Sequence, residues 1–187
     1  METDSTLGDI IDWGVAILVA LIIGYLFRTY CFELFVVDGS SMRPTLQTTE
    51  RVIVDKFSYR FLSQPKRGDV VVFRYPSDTS RDFIKRVIGL PGDVVEISRG
   101  EVYVNHRKLD EDYILNITAD GFPQTVVPQG TLFVLGDNRN DSEDSRFSSV
   151  GFVPLNLVLG QAVATAWPFH DVRKLTLPDT TTIRQIR

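Results

Sequence analysis

A serine and a lysine are the residues of this chain whose types and surroundings are best suited to chemistry. Ser41 lies in a Gly/Ser-rich turn, Asp38–Thr45, and Lys85 lies 44 residues later in the apolar run Phe83–Arg86. A serine hydroxyl is a poor nucleophile until a nearby base takes its proton. A lysine can be that base when burial lowers its pKa from about 10.4 toward neutrality, because desolvation disfavours the charged form. The pair therefore predicts a Ser-Lys dyad, a known variant of serine-hydrolase chemistry.

The two histidines of the chain do not suggest a competing base. Neither His106 nor His170 has an aspartate or serine placed to form a catalytic triad. The dipeptide Asn105-His106 fits a tight turn between strands, because Asn and His tolerate positive φ better than most residues. His170, near the end of the chain, is predicted to be a surface or packing residue.

Strand alternation around Lys85 favours a neutral amine. Phe83, Lys85 and Val87 are expected on one face of a strand, and Ile84 and Arg86 on the other. Apolar neighbours on its own face would keep the amine of Lys85 unprotonated. The alternative is an edge-strand lysine that faces water and discourages pairing with other chains. The strand alone does not separate the two interpretations.

The turn around Ser41 has features that a nucleophile would use. Pro44 would fix the turn that follows Ser41. Gly39 would let backbone N–H groups approach a substrate carbonyl, as an oxyanion hole requires. An ordinary surface loop is the alternative, since isolated Ser-x-Pro sequences are frequent.

A polar run, Gly136–Arg146, directly follows the apolar strand Thr131–Leu135. It is similar to an acidic calcium loop, but an EF-hand counted from Asp137 needs glycine at the sixth position and glutamate at the twelfth. Those positions hold Ser142 and Ser148. The alternation of acids and arginines favours internal ion pairs, so no metal is expected here.

Composition argues against several other classes of function. Lys+Arg 20 against Asp+Glu 24 gives a net charge of -4, which does not suggest a nucleic-acid partner. The single cysteine, Cys31, excludes an intrachain disulfide and a zinc site built from several cysteines. A chain of 187 residues is long enough for one core, or for one domain and an anchor.

The apolar segment Trp13–Phe32 is predicted to be a transmembrane anchor. Trp13–Phe27 has no charge, and Arg28 can snorkel and so bring Tyr30–Phe32 into the span. A cleavable signal peptide is a poor match, because residues 1–12 are acidic and no small-x-small site follows. A buried core helix is the alternative, but a run that is hydrophobic on all sides favours the membrane.

Beyond residue 32 the sequence changes to short β-type runs, rich in Val, Ile, Phe and Tyr and separated by Gly, Pro, Asn and Asp. Strands are predicted at Leu34–Val37, Arg51–Asp55, Asp69–Tyr75, Phe83–Ile88, Val94–Ser98, Glu101–Asn105, Thr131–Leu135 and Leu159–Ala166. Arg99-Gly100 is predicted to join two of them as a tight hairpin. We therefore expect a mainly antiparallel β domain over residues 33–187, behind the helix at 13–32 and a short acidic tail at 1–12.

Taken in order, these motifs resemble those of type I signal peptidases. The resemblance extends from the anchor to Trp167-Pro168. It rests on four segments: Gly39–Leu46, Arg67–Phe73, Phe83–Asp93 and Gly136–Arg146. The implied fold is the antiparallel β domain that signal peptidases share with self-cleaving SOS repressors, behind one transmembrane helix.

The resemblance implies an endopeptidase that removes signal peptides from exported preproteins by cutting after Ala-x-Ala-like sites. Ser41, immediately before Met42, would be the nucleophile and Lys85 the general base, without metal or cofactor. Some members carry a serine where this chain has Gly39, and that serine helps to bind the oxyanion. The oxyanion hole would therefore rest mainly on the Ser41 N–H.

Further roles are implied for residues around the dyad. Ser142 matches a serine that hydrogen-bonds the lysine amine and orients it. Asp144 matches an acid that pairs with Arg86 and with Arg146. Two other motif residues match positions with structural roles: Asp137 and Arg139.

The resemblance also implies how substrate would bind. Phe35, Val37 and Ile84 match positions lining shallow apolar pockets for small side chains, with Gly39 and Met42 beside the nucleophile. The substrate would add a β-strand next to the strand that contains Ile84. The expected partners are signal peptides and the lipid bilayer, with no nucleic acid and no metal.

The implied location is the plasma (inner) or thylakoid membrane, with the catalytic domain on the extracytoplasmic or lumenal face. The charges that flank the apolar run weakly favour the opposite orientation, with the large domain in the cytoplasm. Residues 1–12 hold no Lys or Arg, whereas Arg28 and Arg43 lie beyond the apolar run. A protease on the cytoplasmic side could not meet translocated cleavage sites, so we favour the outer face.

Two other functions stay open from the sequence. One is a Ser-Lys autoprotease of the SOS-repressor kind, against which the membrane segment and the lack of a DNA-binding domain argue. The other is a catalytically silent, membrane-anchored β module that only binds export substrates. The presence of both Ser41 and Lys85 argues against that module.

Overall fold

The computed structural model describes residues 3–175, apart from the side chains of residues 3–8 and 26–28. Residues 1–2 of the predicted tail and 176–187 of the predicted β domain lie outside the described residues. Within the described part, the chain forms one long helix followed by 11 strands. Every strand pair is antiparallel, so the mainly antiparallel β architecture is confirmed.

The N-terminal helix, α1, spans Thr3–Tyr30 and leads directly into the first strand. It is continuous across the predicted boundary between tail and anchor at residue 13. The large apolar side chains that are described on it are exposed, among them Trp13, Leu21 and Tyr25. Across residues 3–175, no helix combines the length and the apolar character that a membrane crossing requires.

The strands form two sheets. Their bounds are β1 Phe32–Val36, β2 Arg51–Asp55, β3 Val70–Arg74, β4 Asp82–Gly89, β5 Val94–Ser98, β6 Glu101–Val104, β7 Arg107–Lys108, β8 Phe122–Val126, β9 Thr131–Leu135, β10 Val153–Pro154 and β11 Val158–Trp167. The large sheet has the order β1-β2-β11-β3-β4-β9-β10, and the small sheet the order β7-β6-β5-β8. Short helical turns occur at Ser58–Leu62, Leu155–Leu157 and Phe169–Asp171.

Strand β4 links three apolar clusters, because successive side chains point to opposite faces. Ile84 packs on the cluster that contains Met42, below the turn after β1. Val87 belongs to a second cluster between the large sheet and the loop after β9. Ile88 belongs to a third, which joins the large sheet to Val95 of the small sheet. The strand carrying Lys85 is therefore fixed from several sides.

Lys85 lies on β4 just before its pairing with β9 begins, and its side chain is buried. Strand β4 pairs with β3 along Asp82–Arg86 and with β9 from Arg86 to Gly89. The Lys85 residue is only 4% exposed. The edge-strand interpretation of this lysine is therefore wrong.

The two tight turns predicted in the small sheet are present. Arg99 and Gly100, between β5 and β6, have φ values of 53° and 83°. Asn105 and His106, between β6 and β7, have φ values of 52° and 64°. Positive φ at both central residues is the geometry that matches the twist of a two-residue hairpin. His106 is thus a turn residue, as expected.

Candidate active site

The turn after β1 places Ser41 against Lys85. The Ser41 Oγ lies 2.8 Å from the Lys85 Nζ, which is placed to donate a hydrogen bond to it. The turn is anchored by Met42 and Leu46, which are 1% and 0% exposed, and the Leu46 N–H donates to the Met42 carbonyl at 2.8 Å. Burial of these two side chains fixes the turn on the core and aims the serine at β4.

The surroundings of Lys85 favour its neutral form. Burial lowers the pKa of the Lys85 amine to about 8, against the opposing charges of Asp144, Glu143 and Asp137. The ring of Phe83 lies 5.1 Å from the Nζ atom and covers it from the same face of the strand. Because half of such amines are neutral near pH 8, Nζ can accept the proton of Ser41 at an accessible pH.

The backbone N–H of Ser41 is free to bind a ligand. It donates no hydrogen bond to any residue in the described range. Gly39, with a φ of 102°, gives the sharp bend just before it, a conformation that other residues rarely adopt. An unpaired N–H on a candidate nucleophile is the kind of donor that could stabilise an oxyanion.

The loop Gly136–Arg146, here called the site loop, holds the turn from the other side. The Asn138 N–H donates to the Ser41 carbonyl at 3.0 Å, and Asn138 Nδ2 to the Ser40 carbonyl at 3.2 Å. The Ser40 hydroxyl donates to the Asp141 carboxylate. The sequence alone does not indicate a role for Asn138 or Asp141, because an amide and an acid in a polar loop are equally typical of a solvated surface.

Two buried ion pairs support the site loop, and one differs from the prediction. Arg86 bonds Asp137 twice, with Nε–Oδ1 at 2.8 Å and Nη2–Oδ2 at 2.7 Å. Asp144 pairs with Arg146 at 2.8 Å, as expected, and accepts the Gly136 N–H at 3.0 Å. The expected Asp144–Arg86 pair is wrong. Arg86 points away from the face of Lys85 and toward Asp137, which follows the neighbouring strand β9.

Ser142 reaches the site but does not make the expected bond to Lys85. Its Oγ is buried and has no hydrogen-bond partner among the described residues. It packs so closely on Gly136 that a Cβ there would collide with the Ser142 side chain and with the Ser41 carbonyl oxygen. Gly136 is therefore the point where the serine turn, the start of the site loop and Ser142 from the middle of that loop meet.

A cleft of about 460 Å³ opens beside Ser41 and Lys85. One wall is the chain at 35–41, and the other is the first half of β4, which β9 leaves unpaired. The cleft is lined by four of the five residues expected to bind substrate: Phe35, Val37, Gly39 and Ile84. The fifth, Met42, is instead buried beneath the turn. The cleft has room for an extended peptide that passes over Ser41.

Comparison with known proteins identifies the family of this chain. The family model described as "Signal peptidase, peptidase S26" matches residues 10–167. The chain belongs to this family. It is therefore an enzyme, a protease of the signal peptidase I type, as the sequence motifs predicted. The matched range contains the serine turn, β4 and the entire site loop.

Individual signal peptidases are similar over most of the chain. A probable signal peptidase I-2 from Synechocystis sp. is 44% identical over 172 residues, which cover 89% of this chain and 77% of that protein. A signal peptidase I from Bacillus amyloliquefaciens is 38% identical over 175 residues, which cover 87% of this chain and 88% of that protein. The crystal structure of a signal peptidase I from Enterococcus faecalis V583 is 35% identical with a TM-score of 0.48, over 53% of this chain and 97% of that one.

Proposed function

We propose that this signal peptidase is a membrane-attached endopeptidase that cleaves exported preproteins after Ala-x-Ala-like sites, with Ser41 as nucleophile and Lys85 as general base. The observation that carries the proposal is the 2.8 Å contact between the Ser41 Oγ and a Lys85 Nζ that is only 4% exposed. Proximity supplies the path for the proton, and burial supplies a neutral amine to receive it.

The reaction follows from these positions. Neutral Lys85 takes the proton of Ser41 as Oγ attacks the scissile carbonyl, and the Ser41 N–H stabilises the oxyanion. The Lys85 ammonium then protonates the leaving amine, which departs as the new N-terminus of the mature protein. Lys85 next takes a proton from water, which attacks the Ser41 ester. Collapse of that intermediate releases the signal peptide carboxylate and restores the Ser41 hydroxyl.

The substrate would bind as an extended strand in the cleft. The first half of β4 has β3 on one side and the cleft on the other, so its outer backbone groups can pair with a peptide. Phe35, Val37 and Ile84 offer apolar contact to alternate side chains of that peptide. We expect small residues, such as alanine, at these alternate positions of the peptide.

The exposed apolar side chains of α1 support the proposed attachment to a membrane. Trp13, Leu21 and Tyr25 are 71%, 65% and 69% exposed, and large exposed apolar side chains favour a lipid surface over water. We place the catalytic domain on the extracytoplasmic or lumenal face, where translocated cleavage sites emerge.

The test is cleavage of a purified preprotein by the full chain in detergent, followed by N-terminal sequencing of the product. We expect one cut, directly after an Ala-x-Ala sequence, and no cut by the Ser41→Ala variant. Saturable binding of the preprotein without any product would instead identify a binding module. A single cut within the chain itself, with the preprotein intact, would identify an autoprotease.

A further inference from the structure

The segment between β7 and β8 lies across the site loop, although it connects two strands of the small sheet. This crossing segment (residues 110–121) makes backbone and side-chain contacts with the loop. The Leu115 N–H donates to the Asp137 carbonyl at 3.3 Å, and the Ala119 N–H donates to Asn140 Oδ1 at 2.9 Å. The site loop is therefore held between the serine turn and the crossing segment.

A buried ion pair fastens the crossing segment to the site loop. Glu111 accepts two hydrogen bonds from Arg139, with Oε1–Nη2 at 2.5 Å and Oε2–Nη1 at 2.9 Å. The side chains of Arg139 and Glu111 are 0% and 6% exposed. Arg139 Nε also donates to the Gly136 carbonyl at 3.0 Å. Because a bidentate arginine–carboxylate pair has one favoured geometry, this pair fixes where the Gly136 carbonyl lies.

Tyr113 joins this pair to a second buried arginine. Its hydroxyl donates to Glu111 Oε1 at 2.9 Å, and its ring centroid lies 4.1 Å from the guanidinium carbon of Arg86. Arg86 also donates to Asp137, to the Gly68 carbonyl at 2.9 Å and, at 3.2 Å, to the hydroxyl of Thr45 in the serine turn. Tyr113 thus covers the arginine that ties β4 to both the turn and the site loop.

We propose that Glu111 and Tyr113 are positioning residues for the reaction at Ser41, a role that rests on the proposed function of Ser41 and Lys85. Neither touches the reacting atoms. Glu111 acts through Arg139 on the Gly136 carbonyl, at the point where the site loop abuts the Ser41 backbone. Tyr113 acts through the guanidinium between β4 and the serine turn. A displacement of about 1 Å at a reacting group can cost about 10²-fold in rate, so loosening these contacts should act on kcat.

The experiment compares kcat and KM of the full chain in detergent for Glu111→Gln, Tyr113→Leu and Tyr113→Phe. Each is measured where circular dichroism shows the variant folded. Asp93→Asn is the matched control, because its carboxylate, with a side chain only 13% exposed, bonds Arg67 at 3.0 Å in the turn between β4 and β5. We expect kcat to fall about tenfold or more for Glu111→Gln and Tyr113→Leu, with KM within about twofold. Asp93→Asn should lower the Tm and leave kcat within about twofold.

Tyr113→Phe keeps the ring over Arg86 and loses only the bond to Glu111. It therefore tests the positioning role even if Glu111→Gln does not fold. We expect its kcat to fall about threefold or more, as for the loss of one buried hydrogen bond, with KM unchanged. A normal kcat in the folded variants, together with a lowered Tm like that of Asp93→Asn, would overturn the positioning role. Ser41→Ala is measured in the same assay. Activity in that variant would refute the proposed dyad. A normal kcat in Glu111→Gln, together with an inactive Ser41→Ala, would refute the positioning role alone.

Discussion

Ser41 and Lys85 lie 2.8 Å apart because the residues beside them are also joined. Arg86, next to Lys85, donates to the Thr45 hydroxyl at 3.2 Å, and Thr45 lies in the same turn as Ser41. Asp137 accepts from both Arg86 and Thr45, at 2.7 Å and 2.5 Å. The contact between Ser41 and Lys85 is therefore supported by a second, partly buried polar contact one residue away on β4.

Ser41→Ala should abolish preprotein cleavage with little change in Tm, because the hydroxyl forms the covalent intermediate while the turn is held by other groups. Ser40→Ala is the matched control. The Ser40→Ala variant loses one exposed hydrogen bond to Asp141, which costs roughly 0.5–1.5 kcal/mol of stability. It should therefore keep most of the cleavage activity. Product formation is measured on gels over time. An active Ser41→Ala beside an inactive Ser40→Ala would move the nucleophile to Ser40.

Lys85→Arg should be inactive although it keeps the positive charge. Arginine stays protonated in proteins, so it cannot accept the Ser41 proton. Lys56→Ala and Lys108→Ala should cleave at nearly the wild-type rate, because both lysines are bonded to surface glutamates away from the cleft. Rates are compared from pH 7 to pH 10. Substantial turnover by Lys85→Arg would refute the role of Lys85 as base.

Asp137→Asn should lower both stability and activity. The side chain of Asp137 is 0% exposed and bonds Arg86 twice, and breaking a buried pair by removing one partner typically costs about 3–5 kcal/mol. Urea unfolding measures the loss. Asp82→Asn, which changes an exposed carboxylate on the same strand as Arg86, should change the free energy of unfolding by no more than about 0.5 kcal/mol. Equal free energies of unfolding for the two variants would show that the buried Arg86–Asp137 pair contributes nothing to stability.

Lys85→Met should stabilise the folded protein at neutral pH. Burial lowers the pKa of Lys85 from 10.5 to about 8, so folding below pH 8 carries a penalty of about 3 kcal/mol for burying the charge. Between pH 8 and 10.5 the unfolded chain binds more protons than the folded one. Wild-type stability therefore rises with pH in that window, and the advantage of Lys85→Met shrinks. Urea unfolding at pH 7 and pH 10 tests this. A difference in the free energy of unfolding between the wild type and Lys85→Met that does not change with pH would contradict this prediction.

Local sequence patterns predicted most of the fold and the proximity of Ser41 and Lys85. Strands Arg51–Asp55, Val94–Ser98 and Thr131–Leu135 have the predicted bounds, because Val- and Ile-rich runs between turn residues leave few alternatives. Phe122–Val126 and Val153–Pro154 were not predicted. Both contain proline, which discourages a strand locally, and they form because tertiary pairing provides a partner.

The polar contacts around the site could not be predicted with the same success. The partner of Arg86 depends on the register between β4 and β9, where Arg86 lies opposite Leu135 and so close to Asp137. No spacing rule gives that register in advance. Glu111 and Arg139 are 28 residues apart, and each is typical of a solvated surface until the fold buries them together.

The pH dependence of kcat/KM for preprotein cleavage tests the central claim most directly, because it reports the ionisation of the base in the free enzyme. If Lys85 is that base, the rate should rise with pH along one ionisation near pH 8, the value to which burial lowers the pKa of this amine. The same curve should appear in His106→Ala and His170→Ala. A rate that rises along an ionisation near pH 6.5 and loses it in a histidine variant would contradict the account.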